Sequence, residues 1–377
     1  MKTPRPIFLA LGLFAFVAAA WAADAPKKND DPLVGIWRGF HTVGGMGYQH
    51  RIEVRKQGST YAGVGILWSG LSEEQAIGAA RGIKPAGEIP ARALCVQQTY
   101  AVMKDGDKLT FAGTNAAGLF KSTKYNCDIF SGKLDPAGAF AGEAADSKKK
   151  EGTFQLANEQ LLKTPLPLQI EKGKTVDMSC VDGGNYHYKV YLPKSYDPGK
   201  SWPLLVNFSP GGNADPLNTD AAEEAGWIMA GLTESKNGPY GPICENRDAA
   251  LFDCWRRFNV DWKRVYFSGF SGGARASATT CCVYPGMCAG LILIGAANGE
   301  GNPPKNVPIF YIAGKTDMNL AEVKAAYDGS KRAGRKTDFI EHPGGHEWGR
   351  AEDHKAAIKW LQQQFDAGAK KPDPAKK

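Results

Sequence analysis

The segment with the clearest capacity for covalent chemistry is Val265-Tyr-Phe-Ser-Gly269-Phe-Ser271-Gly-Gly273-Ala-Arg-Ala, where an apolar run passes through G-x-S-x-G into small residues. A serine hydroxyl is a weak nucleophile. To attack, it must stand exposed on a sharp strand-to-helix turn, with glycine wherever a side chain would collide and a base within reach. Ser271 has that local setting, whereas Ser268 lies inside the apolar run and lacks the flanking glycines. The base must come from His41, His50, His187, His342, His346 or His354. His342 and His346 share the end of the apolar run Phe339-Ile-Glu-His-Pro-Gly-Gly-His346-Glu-Trp; the others have no comparable context. Gly344-Gly345 favours His346, because a ring that must swing over the end of a sheet needs a pliant backbone before it. An acid to orient the ring is offered by Asp317, which closes Pro308-Ile-Phe-Tyr-Ile-Ala-Gly314-Lys-Thr-Asp317, with Asp338 as runner-up. Taken alone, Asp317 reads as a cap for a helix beginning near Leu320.

These segments resemble the α/β-hydrolase superfamily, and within it the secreted esterase and polyhydroxyalkanoate-depolymerase-like group that includes feruloyl and acetylxylan esterases. The likeness runs from about Leu168 to Phe365. It implies a nucleophile, acid, histidine order, with the acid just after a late strand and the histidine on the loop after the last one. Ser271, Asp317 and His346 fit that order. The resemblance also implies an oxyanion hole drawn from the Gly272 amide, at the positive end of a helix, and from the turn after an earlier strand. That turn reads Leu204-Leu-Val-Asn-Phe-Ser209-Pro210-Gly211-Gly212-Asn213, so Ser-Pro stands where His-Gly is common, and Gly211 or Gly212 becomes the second donor. No metal or organic cofactor is implied.

Such a site needs a mainly parallel sheet with helices on both sides. Short apolar runs near 188–192, 204–208, 227–232, 265–268, 291–294, 309–313 and 337–341 alternate with helix-like segments at 219–225, 247–258, 272–282, 320–333 and 352–365. The expected catalytic domain is 169–367. Ahead of it, 33–157 carries short apolar-polar alternations separated by Lys-Asp-Gly-Asp (104–107) and Asp-Pro-Ala-Gly (135–138), which predicts a small all-β barrel or sandwich. Its opening Val34-Gly35-Ile36-Trp37-Arg38-Gly39 and its later Gly-Lys-Leu-Asp-Pro-Ala-Gly resemble strands of lipocalin-like barrels. Its aromatics Trp37, Phe40, Tyr48, Tyr61 and Trp68 are expected to fill the core, and its scattered polar residues, His41, His50, Glu53, Glu73 and Glu74, to serve solubility. Residues 158–168, with Pro165 and Pro167, form the expected linker.

The N-terminus carries Lys2 and Arg5, an apolar stretch from Ile7 to Ala20, and Ala20-Trp21-Ala22, the pattern of a cleaved signal peptide over 1–22. The stretch is short of the roughly 20 residues that span a bilayer. A flexible leader (23–32) follows, and a disordered basic tail (368–377) ends the chain. The expected location is the periplasm or outside the cell, with no stable membrane insertion. All eight cysteines, Cys95, Cys127, Cys180, Cys244, Cys254, Cys281, Cys282 and Cys288, lie beyond the signal, which predicts disulfides, Cys95 with Cys127 first among them. The net charge of +7, lowered by two when Lys2 and Arg5 are removed, is too mild for a nucleic-acid partner. An apolar fraction of 43% with nine Trp excludes a disordered chain.

The expectation is therefore an exported serine hydrolase that cleaves carboxylic esters, small or polymeric, through an acyl-enzyme. A serine peptidase on the same site, or a silent carbohydrate- or surface-binding protein that keeps only the scaffold, are the rivals. The oligomeric state has no signature in the sequence.

Overall fold

A computed structural model describes residues 31–85, 89–119, 124–162, 166–168, 170–180 and 186–369. The expected signal peptide, nearly all of the expected leader, residues 163–165 of the expected linker and the tail from 370 lie outside the described residues. The chain divides into two compact units, 1–44 with 48–164 and 45–47 with 165–377.

In the first unit eight consecutive strands form a closed barrel: β1 (Gly35–Val43), β2 (Met46–Gln57), β3 (Thr60–Ser69), β4 (Leu94–Asp105), β5 (Lys108–Gly118), β6 (Asp128–Leu134), β7 (Ala139–Asp146) and β8 (Glu151–Asn158). The last strand returns to the first, antiparallel, from Trp37 opposite Asn158 to Val43 opposite Gly152, so no edge is left unpaired. Alternation sends every second residue inward. Trp37, Ile52, Val54, Tyr100, Phe111, Phe130, Phe140 and Phe154 fill the interior, edge to face in places. Trp68 is also buried, but on the outside, where Val64, Ile66 and Trp68 take the cover of helix α1 (Glu73–Ala80). Burying a side chain the size of Ile66 there is worth about 2 kcal/mol. Ser72 and Gln75 close the start of α1 with a reciprocal capping box.

His41 and His50 differ from expectation. Neither serves solubility: both are buried in the barrel, His41 Nδ1 lies 2.5 Å from His50 Nε2, and Asp128 stands 3.6 Å from His41 Nε2. Inward parity on β1, β2 and β6 puts them there.

The expected disulfides are corrected too. Among the described residues, which include Cys95, Cys127, Cys180, Cys244, Cys254, Cys281, Cys282 and Cys288, none is formed. Cys95 points out of the barrel under α1, its Sγ on the Ala76 carbonyl, and its own carbonyl takes the Leu119 amide. Cys127 packs beside Gly113. Gly113 and Leu119 are six residues apart along one strand direction, roughly 20 Å at about 3.4 Å per residue, whereas a disulfide needs Cα atoms within about 7 Å.

The second unit is an eight-stranded sheet in the order β16-β15-β14-β13-β11-β12-β10-β9. β9 (Thr175–Ser179) and β10 (His187–Tyr191) pair antiparallel at one edge; β11 (Trp202–Phe208), β12 (Ile228–Leu232), β13 (Val260–Phe270), β14 (Cys288–Ile294), β15 (Ile309–Gly314) and β16 (Thr337–His342) run parallel. After α2 (Glu159–Leu162), which closes the first unit, come α3 (Thr219–Ala225), α4 (Tyr240–Arg257), α5 (Gly272–Val283), α6 (Leu320–Arg332) and α7 (Ala351–Ala369). One face of the sheet, with Leu205, Met229, Tyr266, Ile292 and Phe310, packs on α3 and α7; α4, α5 and α6 accompany the strands as well. Strands covered on both sides read as continuous apolar runs, which is why the sequence marks them so clearly. Helix α4 starts seven residues before the expected 247, because Pro242 falls in its first turn, where a missing N–H is harmless. From β11 the chain steps outward to β12, then returns to the other side of β11 as β13. That reversal opens a crevice at the carboxyl ends of β11 and β13.

Candidate active site

Ser271 stands at that crevice, between the end of β13 and the start of α5. Its backbone is held at φ 53 and ψ −118, a left-handed conformation that a side chain rarely tolerates. Two glycines make the turn possible. A Cβ on Gly269 would come 2.4 Å from the carbonyl carbon of Gly273, and one on Gly273 would come 2.3 Å from the Phe208 oxygen at the end of β11. The Ser271 amide is tied to the Ile294 carbonyl at 2.8 Å, so the neighbouring strand fixes the elbow.

His346 reaches Ser271 from the loop after β16. Its Nε2 lies 3.0 Å from Ser271 Oγ and its Nδ1 lies 2.9 Å from Asp317 Oδ1. With Nδ1–H donating to the carboxylate, Nε2 is left as an acceptor for the serine proton. The Asp317 side chain is fully buried, and its Oδ1 also takes the Asn319 amide at 2.7 Å. Asn319 in turn donates from its side chain to the Gly295 carbonyl, fastening the acid's loop to the end of β14. The three groups thus form one chain, acid to imidazole to hydroxyl.

The glycines before His346 act differently from the expectation of a pliant hinge. A Cβ on Gly314 would fall 2.3 Å from the carbonyl oxygens of both Gly344 and Gly345, and the Lys315 and Thr316 amides donate to His342 and Gly344. Close approach of two loops, and not freedom, is what the glycines supply. Phe270, the residue just before Ser271, lies 4.6 Å from the His346 ring and 5.2 Å from Trp348. The Trp348 carbonyl accepts from His354 Nε2 at 2.7 Å, and burial holds the His354 pKa below the usual histidine value. Phe270, Trp348, Asn319 and His354 are supports that the sequence reading passed over; Phe270 had a signal, since it fills the variable place in G-x-S-x-G.

The other candidates are placed elsewhere. Ser268 is buried and donates to Asn207 Oδ1. Asp338 sits near the start of β16, opposite Phe310, away from the carboxyl end where the site forms. His342 is buried, its Nδ1 taken by the Gly344 amide. His187 pairs with Glu234.

For the oxyanion hole, Gly272 is the first residue of α5, and its N–H has no acceptor within the helix. The Gly211 and Gly212 amides, expected to give the second donor, are engaged within their own turn. The Gly211 amide donates to Ser209 Oγ and the Gly212 amide to the Ser209 carbonyl, both at 3.3 Å, so the turn consumes its own donors.

No family model and no curated protein matches the sequence. Solved structures match about half of it. A ferulic acid esterase is 16% identical, covering 52% of this chain and 100% of its own, with a TM-score of 0.43. An esterase of Pyrobaculum calidifontis is 13% identical over 52% of this chain and 87% of its own, with a TM-score of 0.42. An S-formylglutathione hydrolase of Staphylococcus aureus is 13% identical over 52% and 99%, with a TM-score of 0.41.

Proposed function

We propose that the protein is a serine hydrolase that cleaves carboxylic esters through Ser271, His346 and Asp317. The observation that supports this most is the unbroken hydrogen-bonded chain from Asp317 through His346 to a serine held in a strained elbow. In this account His346 Nε2 takes the Oγ proton as Oγ attacks the ester carbonyl. The carbonyl electrons move onto oxygen, which the Gly272 amide and the positive end of α5 stabilise. The intermediate collapses as His346 returns the proton to the leaving alcohol, leaving an acyl-Ser271. Water, deprotonated by the same nitrogen, then releases the acid. Asp317 keeps its charge throughout and stabilises the imidazolium.

Residues 1–22 act in this proposal as an export signal, and the substrate is a small or polymeric ester. The test is turnover of soluble esters of graded acyl size by the full chain and by Ser271→Ala. Turnover that the substitution lowers by on the order of 10⁴-fold or more supports the proposal; equal turnover by both rules Ser271 out.

A further inference from the structure

A tetrahedral oxyanion is best held by two or more donors aimed at one point. Gly272 supplies one. The turn after β11 supplies none from residues 210 to 214. Pro210 has no N–H. The Gly211 and Gly212 amides bend back to Ser209, and those of Asn213 and Ala214 go to the Thr233 and Leu232 carbonyls at 2.6 and 3.0 Å. With those amides engaged, a side chain folded onto the elbow from a neighbouring element can supply a further donor.

The loop between β12 and α4 meets that need. It is pinned to the same turn: the Asn237 amide donates to the Pro210 carbonyl at 2.8 Å, and Lys236 forms an antiparallel bridge with Gly211. From there the Asn237 side chain leans onto the elbow. A Cβ on Gly272 would fall 1.8 Å from Asn237 Oδ1 and 3.1 Å from Nδ2, so Gly272 must be glycine for Asn237 to occupy its place. The side chain is otherwise exposed at the mouth of the crevice, and its carboxamide has no hydrogen-bond partner among the described residues. The two ends of a carboxamide are interchanged by a half-turn, so Nδ2 can face the reacting carbonyl.

We infer that Asn237 is a catalytic residue, its Nδ2–H donating to the oxyanion alongside the Gly272 amide. This rests on the proposed Ser271 mechanism. It explains two otherwise separate features of the sequence, a turn that spends its own amides and a second glycine directly after the nucleophile. Because the donor is a side chain and not a backbone amide, it can be removed without changing the main chain.

The experiment is steady-state hydrolysis of p-nitrophenyl acetate by the full-length protein, its Asn237→Ala and Asn237→Asp variants, and Ser271→Ala. Asn237→Asp preserves shape but replaces the donor with an acceptor, so a packing role would leave it active. The inference predicts that kcat falls about 10²- to 10³-fold in Asn237→Ala, at least as far in Asn237→Asp, with KM within a few-fold and the unfolding midpoint unchanged. Wild-type activity with either variant retaining kcat within about threefold overturns the inference and leaves Ser271 standing. Absence of wild-type turnover, or turnover that survives in Ser271→Ala, overturns the underlying mechanism instead.

Discussion

His342 Nδ1 accepts the Gly344 amide at 3.1 Å, so one histidine shapes the loop that delivers the other. The two are four residues apart and divide their tasks by burial: His342 is inside, and His346 opens to the crevice. His346→Ala is therefore expected to lose on the order of 10⁴-fold or more in turnover. His342→Ala leaves the half-buried Gly344 N–H without its acceptor and lowers stability by about 1 kcal/mol, while turnover falls far less. Parallel measurement of unfolding midpoints and initial rates checks this; the opposite ranking of rates makes His342 the base.

Gly314 bears on the same loop from the other side. The Gly314→Ala methyl would meet two backbone oxygens at 2.3 Å, which no side-chain rotation can relieve. The His346 loop must shift by a substantial fraction of an ångström or more, and such displacements reduce turnover by about 10²-fold. The expected result is a folded protein with reduced kcat, checked by initial rates beside a circular dichroism spectrum. Unchanged kcat shows that the loop tolerates the shift.

The buried His41, His50 and Asp128 of the barrel make opposing contributions to the pH dependence of stability. Burial lowers the His50 pKa to about 3 and, together with His50, lowers that of His41 well below the usual value. Burial, with Asp146 adding, raises the Asp128 pKa to about 8 against the opposing Tyr125 hydrogen bond. The unfolded histidines bind protons that the folded ones refuse, so stability climbs as pH rises toward about 6.5. Folded Asp128 keeps a proton that the unfolded chain has lost, so it contributes a decline that runs up to about pH 8. Two histidines outweigh one aspartate below about 6.5, and above it Asp128 acts alone. Between about pH 6.5 and 8 the Asp128 contribution falls by about 2 kcal/mol, at about 1.4 kcal/mol per unit. Urea unfolding of wild type and Asp128→Asn at both pH values measures it. The variant is expected to lose less stability over that interval, and an equal loss removes Asp128 as the cause.

Much of the site was legible because its rules are local. The strand, the G-x-S-x-G turn and the small residues after it stand together, and Gly269 and Gly273 are where backbone would collide. The order Ser271, Asp317, His346 could be read along the chain, since each sits just past an apolar run that both faces of the sheet bury. The rest depends on distance in space. Cys95 and Cys127 looked paired because they shared a domain, but nothing in their spacing reveals that strands β4 to β6 hold them far apart. His41 and His50 read as scattered along the chain because their meeting depends on which faces of β1 and β2 adjoin in the closed barrel. The capping box Ser72-Glu-Glu-Gln75 was a local signal for α1 that the surrounding β pattern masked. Asn237, an exposed loop residue, carries no signature at all until the loop is folded onto Pro210.

The central claim is that Ser271 is the nucleophile of an acyl-enzyme. Its most direct test is to react the full-length protein with a fluorophosphonate and locate the adduct by peptide mass spectrometry. The account predicts one phosphonyl group per chain on the peptide containing Ser271, and none in Ser271→Ala. An adduct on another residue, or undiminished labelling of Ser271→Ala, would contradict it.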